Sequence, residues 1–166
     1  MLLRAEGREK RPVRRAFLRW AGSKKKLIPR LEQFWNQNYS RYVEPFAGSA
    51  CLFFAVAPTK AVLGDNNREL INVYRVLRKD PERMHRRLIG IPRERDSYYR
   101  WRAKDPKALD AETRALRFVY LNHNCFNGIY RTTLTATLTF PLARNSLPIY
   151  PAKSSLAALT RCPASN

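Results

Sequence analysis

At 166 residues and 45% hydrophobic, the chain is long enough for one domain with a real core, or one domain plus an appendage, and its composition is that of a globular protein. Thirty-two Lys and Arg against thirteen Asp and Glu give a net charge of +19, unlike an ordinary metabolic enzyme, and the field attracts polyanions: nucleic acid is the expected partner, an anionic membrane surface the weaker competitor. Cys51, Cys125 and Cys162 lie far apart without Cys-x-x-Cys spacing and only His85 and His123 accompany them, so neither a metal site nor a disulfide framework is expected; with no signal-peptide core and no run near the ~20 apolar residues of a membrane span, a cytoplasmic protein is expected.

Residues 1–15 are expected to be a charged, disordered arm, and the core to begin at Ala16-Phe17-Leu18. Leu27, Ile28, Leu31, Phe34 and Trp35 recur at a helical period, with Pro29 placed in the first turn. Tyr42-Val43 opens a strand that ends at Glu44-Pro45, followed by the small-residue bend Ala47-Gly48-Ser49-Ala50 and an apolar run from Cys51 to Val56. Ala61-Val62-Leu63 is a second short strand, ending at Gly64-Asp65. Asn66 or Asn67 caps the next helix, whose Leu70, Val73, Tyr74 and Leu77 share a face. Residues 42–79 therefore predict a parallel α/β half-sheet, with ligands held beyond the carboxyl ends of its strands.

From Asp80 onward the pattern predicts helices alone. Asp80-Pro81 starts one of them, and Asp110 caps another that runs to about Asn122 with Leu116, Val119 and Tyr120 on one face. Asn127-Gly128 between aromatics is a hairpin signal, and the tail from Asn145 is Pro- and Ser-rich.

Three groups of residues carry chemistry. Glu44 and Asp65 stand at successive strand ends about twenty residues apart, the spacing at which dinucleotide-binding folds place an acid against ribose hydroxyls. The bend holds only one glycine, Gly48, so a nucleoside cofactor without a diphosphate fits better, S-adenosylmethionine foremost. Spacing leaves a second reading open, in which Asp65 is a helix cap and Glu44 a surface acid. Trp20 followed by Ala21-Gly22-Ser23 and Lys24-Lys25-Lys26 offers an aromatic face and cations beside a loop, or else a core tryptophan before a solvated turn. Residues 121–131, LNHNCFNGIYR, suit either a wedge between bases or a packed hairpin.

Together these segments resemble the Dam-type (D12 class) DNA adenine-N6 methyltransferases. The elements carrying the resemblance are Trp20-Ala21-Gly22-Ser23-Lys24, Glu44-Pro45-Phe46-Ala47-Gly48-Ser49-Ala50, Asp65-Asn66-Asn67, and Leu121-Asn122-His123 through Asn127-Gly128-Ile129-Tyr130-Arg131. The resemblance implies a Rossmann-like, S-adenosylmethionine-dependent methyltransferase half-sheet over 16–79. It also implies an inserted helical target-recognition region over 80–166, with hairpin and irregular tail. Trp20, Lys24, Glu44, Phe46, Gly48 and Asp65 would bind S-adenosylmethionine, Asp65 through the ribose. Phe126, Asn127 and Arg131 would approach double-stranded DNA, from which the target adenine is extruded.

The family's Asp-Pro-Pro-Tyr, whose Asp and proline carbonyl accept the protons of the adenine amine, has no counterpart, because the sequence contains no Pro-Pro. No catalytic residue is therefore assigned. The expectation is an N-terminal portion of such an enzyme with an incomplete sheet, inactive alone, and completed by a complementary C-terminal chain. A cognate restriction enzyme is a further possible partner. The alternative is a non-catalytic basic DNA-binding protein or a decayed methyltransferase remnant. Ser23 and Ala50 stand where the family has glycines, and His123 where it has arginine.

Overall fold

The computed structural model describes residues 16–125. The expected arm over 1–15, the hairpin, its DNA-facing residues Phe126, Asn127 and Arg131, and the tail lie outside the described residues.

Two short strands, β1 (Tyr42–Glu44) and β2 (Ala61–Leu63), pair in parallel with Tyr42 opposite Ala61, Val43 opposite Val62 and Glu44 opposite Leu63. Two hydrogen bonds carry the pairing past the strand ends: Gly64 N donates to Glu44 O at 2.8 Å, and Ala47 N to Gly64 O at 2.8 Å. Period-2 alternation turns Tyr42 and Glu44 into the protein and leaves Val43 exposed. The chain crosses between the strands through α2 (Cys51–Val56), which buries Cys51, Phe53, Phe54 and Val56. Parallel strands require such a crossover.

Residues 27–35 do not form the continuous helix that their period predicts. A 3-10 turn over Lys24–Leu27, a single α-helical turn α1 (Ile28–Leu31) and another 3-10 turn over Glu32–Phe34 replace it. The apolar positions have no common surface to bury: Leu27 is 49% and Phe34 72% exposed, while Trp35 packs edge-on against Tyr42 at 5.5 Å. Without a buried stripe, a helix this short has little to offset the cost of its nucleation.

α3 (Arg68–Lys79) starts at Asn67, whose side-chain oxygen accepts from Glu69 N and Leu70 N, and buries Leu70, Val73, Tyr74 and Leu77 as predicted. α4 (Pro81–Ile89) starts at the Asp80 cap with proline in its first turn. α5 (Arg95–Ala103) follows, and α6 (Ala111–Asn124) is capped by Asp110, which accepts from Thr113 N.

α6 buries the expected Leu116, Val119 and Tyr120, and its burial extends well beyond that face. Every residue from Ala115 to Asn124 is buried, because α3, α4 and α5 all pack against this helix. A helix surrounded in this way loses its polar face, so its polar side chains must find partners inside. Arg117 donates to Trp101 O at 2.9 Å and Arg102 O at 2.8 Å, and Asn124 donates to Tyr120 O at 2.7 Å. One hydrophobic cluster, running from Phe17 through α2, α3 and α6 to Cys125, joins the strand region to the helices. No helix among the described residues is long and apolar enough to cross a membrane.

Candidate functional site

The site forms at the carboxyl ends of β1 and β2. Glu44 is 5% exposed, so it is not the surface acid that spacing left open. A buried carboxylate needs partners. Tyr42, two residues earlier on the same strand face, donates its hydroxyl to Oε2 at 2.9 Å, and Lys24 donates its ammonium to Oε1 at 3.1 Å. The same ammonium reaches Phe46 O at 2.6 Å, tying the 3-10 turn at residues 24–27 to the bend after β1. Burial, then the Glu44 charge, raises the Tyr42 phenol well above its ordinary value, so the hydroxyl stays a donor.

Beyond Pro45, Phe46 is 75% exposed, and its backbone carbonyl accepts from the Lys24 ammonium. Gly48 then takes a left-handed backbone, φ +51°, and its peptide is held at both ends. Gly48 N donates to Asp65 Oδ2 at 2.9 Å, while Tyr74 in α3 donates its hydroxyl to Gly48 O at 2.6 Å. Burial, reinforced by the Glu44 and Asp65 charges, raises the Tyr74 phenol well above its usual range. The third constraint on the turn is Trp20. A β-carbon at Gly48 would stand 2.8 Å from Trp20 Cδ1. The indole is fixed from its other side by stacking on Phe118 of α6, with centroids 6.2 Å apart and 23° between planes.

Asp65 is not the helix cap, which is Asn67. Its Oδ1 accepts from Asn67 N at 2.9 Å and its Oδ2 from Gly48 N. A carboxylate has about four lone-pair sites, so this half-buried group keeps capacity for a ligand's hydroxyls while being aimed by the backbone. The predicted residues fall into two sets of contacts on the same bend: Lys24 with Glu44 and the Phe46 carbonyl, and Gly48 with Asp65 and the Trp20 ring. Sequence reasoning missed four supports. Tyr42 could have been found from its i, i+2 relation to Glu44, whereas Tyr74, Phe118 and Asn122 reach the site only through helix packing.

The donor set fits a nucleoside with a charged amino-acid tail. Asp65 offers acceptors for vicinal hydroxyls, Phe46 an exposed aromatic face, and Lys24, 35% exposed at its side chain, a cation for a carboxylate.

A parallel strand–turn–helix–strand that aims a carboxylate and a glycine turn past its strand ends is the layout by which α/β proteins hold nucleoside ligands. Comparison with known families is more specific: the model of the D12 class N6 adenine-specific DNA methyltransferases matches residues 20–160, and the chain belongs to that family. It is 36% identical over 141 residues to the Type II methyltransferase M1.LlaDCHI of Lactococcus lactis subsp. cremoris, covering 81% of this chain and 49% of that protein. It is 31% identical over 141 residues to the DNA adenine methylase of Escherichia coli strain K12, covering 82% and 50% respectively. The Type II methyltransferase M.MjaIII of Methanocaldococcus jannaschii is 27% identical over 153 residues, covering 80% and 53%. The chain spans about half the length of these curated relatives.

Proposed function

We propose that this chain forms the cofactor-binding part of a Rossmann-like DNA methyltransferase that moves a methyl group from S-adenosylmethionine to adenine N6 in duplex DNA. The observation carrying the reading is the pinned Gly48 turn beside Asp65, at the strand ends of a chain belonging to the adenine methyltransferase family. Bound there, S-adenosylmethionine supplies an electrophilic methyl group on its sulfonium. Asp65 holds the ribose hydroxyls and Lys24 stands ready for the methionine carboxylate, while Phe46 covers the ligand from the solvent side. Trp20 and Gly48 shape the wall. Residues 16–79 serve the cofactor, and residues 80–166 the DNA, with Phe126, Asn127 and Arg131 approaching the duplex. The charge of +19 supports contact with the DNA backbone. A cytoplasmic setting, where the DNA lies, accords with this work.

Methyl transfer needs acceptors for the protons of the adenine amine, which the family provides with Asp-Pro-Pro-Tyr. These 166 residues contain no Pro-Pro. We therefore expect the 166 residues alone to bind cofactor without transferring methyl groups, and a complementary chain carrying that tetrapeptide to restore transfer. A cognate restriction enzyme would act on the same DNA sites.

Calorimetry with S-adenosylmethionine on wild type and Asp65→Ala tests the cofactor reading. Binding that weakens in the variant supports it; no heat in either protein favours the rival, a non-catalytic DNA-binding protein or decayed remnant. Labelled S-adenosylmethionine and duplex DNA, with and without a complementary chain, test the transfer.

A further inference from the structure

Asn122 lies 103 residues from Arg19 in sequence, yet its side chain makes two hydrogen bonds to that residue's backbone. Arg19 N donates to Asn122 Oδ1 at 3.0 Å, and Asn122 Nδ2 donates to Arg19 O at 2.8 Å. The primary amide thus pairs with the chain as a neighbouring strand would, satisfying donor and acceptor at once. Only a residue carrying both on one short planar group can do this: aspartate has only acceptors when ionised, and leucine has neither. Asn122 is 1% exposed and Arg19 half-buried, so the amide side of the pair is shielded from water.

The position of this pair gives it consequence. Arg19 precedes Trp20, and Phe118, one turn before Asn122 on α6, stacks on the Trp20 ring. Trp20 in turn closes against Gly48, whose N–H is held by Asp65. α6 therefore fixes the Trp20 loop with two neighbouring side chains, one through the backbone and one through the ring. The C-terminal end of the same helix, at Asn124, leads within two residues to Phe126.

We propose that Asn122 is a positioning residue for the cofactor site: it sets the register of the Trp20 loop on α6 and so joins the cofactor wall to the helix that feeds the DNA-facing segment. This rests on the reading that the Gly48–Asp65 site holds S-adenosylmethionine. Without the pair, the loop loses its anchor at Arg19, Trp20 no longer closes on Gly48, and cofactor affinity falls while the helices stay packed.

Two measurements test it, on Asn122→Ala and on Ala115→Gly. The second variant weakens α6 at a buried position two turns before Asn122 and serves as a control for general loosening. Calorimetry with S-adenosylmethionine should show Asn122→Ala raising the dissociation constant about tenfold, the net worth of about one of the two hydrogen bonds it removes. Ala115→Gly should leave it unchanged even where its unfolding midpoint falls as far. Equal effects of the two variants on affinity, or none from Asn122→Ala, overturn the proposal. Amide exchange, measured without ligand, should rise in Asn122→Ala for the peptide covering residues 17–24 and not across α3; unchanged exchange there refutes the anchor. If wild type binds no S-adenosylmethionine, the cofactor reading fails, and the exchange result still decides whether Asn122 holds the loop.

Discussion

Replacing Gly48 by alanine tests whether the turn is fixed as described. The residue sits at φ +51°, where a β-carbon meets the following carbonyl oxygen, a penalty of roughly 1–2 kcal/mol for an L-residue. That methyl would also stand 2.8 Å from Trp20 Cδ1, closer than carbon contacts allow, and a tight 3.1 Å from Nε1. The indole cannot swing away freely, because Phe118 stacks on it and Arg19, its neighbour, is held by Asn122. Relief then comes from shifting either the Trp20 loop or the turn, at an overpacking cost of about 1–3 kcal/mol. The sum, roughly 2–5 kcal/mol, is a large share of the ~5–15 kcal/mol that keeps a domain folded. Urea unfolding followed by tryptophan fluorescence would show a midpoint drop at unchanged slope. If the domain folds at all, S-adenosylmethionine binding should weaken more than tenfold, because the displaced peptide no longer donates to Asp65. A Gly48→Ala protein within 0.5 kcal/mol of wild type (about the limit for an innocuous surface change) and of equal cofactor affinity would falsify the account of the turn.

The remaining expectations concern neighbouring features. Lys24→Met strands the buried Glu44 carboxylate with only Tyr42, and should cost about 1–3 kcal/mol; adding Glu44→Gln should restore most of it, a coupling that a double-mutant cycle in urea measures directly. Ala57 closes α2 in the left-handed region, φ 46°, where glycine is favoured, so Ala57→Gly should raise stability by up to about 1 kcal/mol; a loss instead would show that its methyl packs usefully. Asp110 is held below the ordinary carboxylate range chiefly by the Thr113 hydroxyl, and Glu112 by Arg87 ahead of Arg83. Both are depressed in the folded state, so their stabilisation is complete above the unfolded values near pH 4 and disappears as pH falls through the folded ones. Acid titration of Asp110→Asn/Glu112→Gln should accordingly show a flatter decline below about pH 4 than wild type. Burial and then the Cys125 charge push the Tyr98 phenol up to about 12, and a raised phenol stabilises below its unfolded value near 10 and loses that contribution as pH rises through the folded one. Ultraviolet titration should therefore find Tyr98 ionising only with alkaline unfolding, and Tyr98→Phe should remove that component.

What could be read from the chain in advance was local. The strand at Tyr42, a cap at Asn66 or Asn67, the Asp80-Pro81 start and the face Leu70-Val73-Tyr74-Leu77 each depend on neighbours within a turn or a strand, and all four appear in the structure, the cap at Asn67. The expected helix over 27–35 failed for a non-local reason. Its apolar period was present, but the fold provides no surface for Leu27 or Phe34. In α6 the buried stretch Ala115–Asn124 takes in Arg117, Asn122 and Asn124 as well as the expected apolar face, because each is satisfied by a partner that periodicity cannot see. The candidate site residues were chosen through the order of their motifs, which carries no information on their mutual geometry. Nothing near Tyr74 indicates that its hydroxyl would hold the carbonyl of Gly48, 26 residues earlier.

Ala50 is tolerated where the family pattern has glycine because its methyl finds room that the one at position 48 would not. Ala50 stands at φ 50°, a conformation costing roughly 1–2 kcal/mol for an L-residue. Gly48, two residues earlier, also adopts positive φ, so the bend contains two left-handed residues, and only one is required to be glycine by contact. At Gly48 the space a methyl would need is taken by Trp20, whereas the Ala50 methyl lies in the core at 0% exposure, packed with Phe53 and Phe54 in one cluster. Burial of that methyl returns about 0.8 kcal/mol, and alanine loses less chain entropy than glycine on folding, a further ~0.5–1 kcal/mol. The two gains nearly offset the backbone penalty at position 50. At position 48 they cannot, because the clash with a ring held by Phe118 adds to the penalty. The turn after β1 thus has one glycine that sterics demand and one position where the choice is close to neutral.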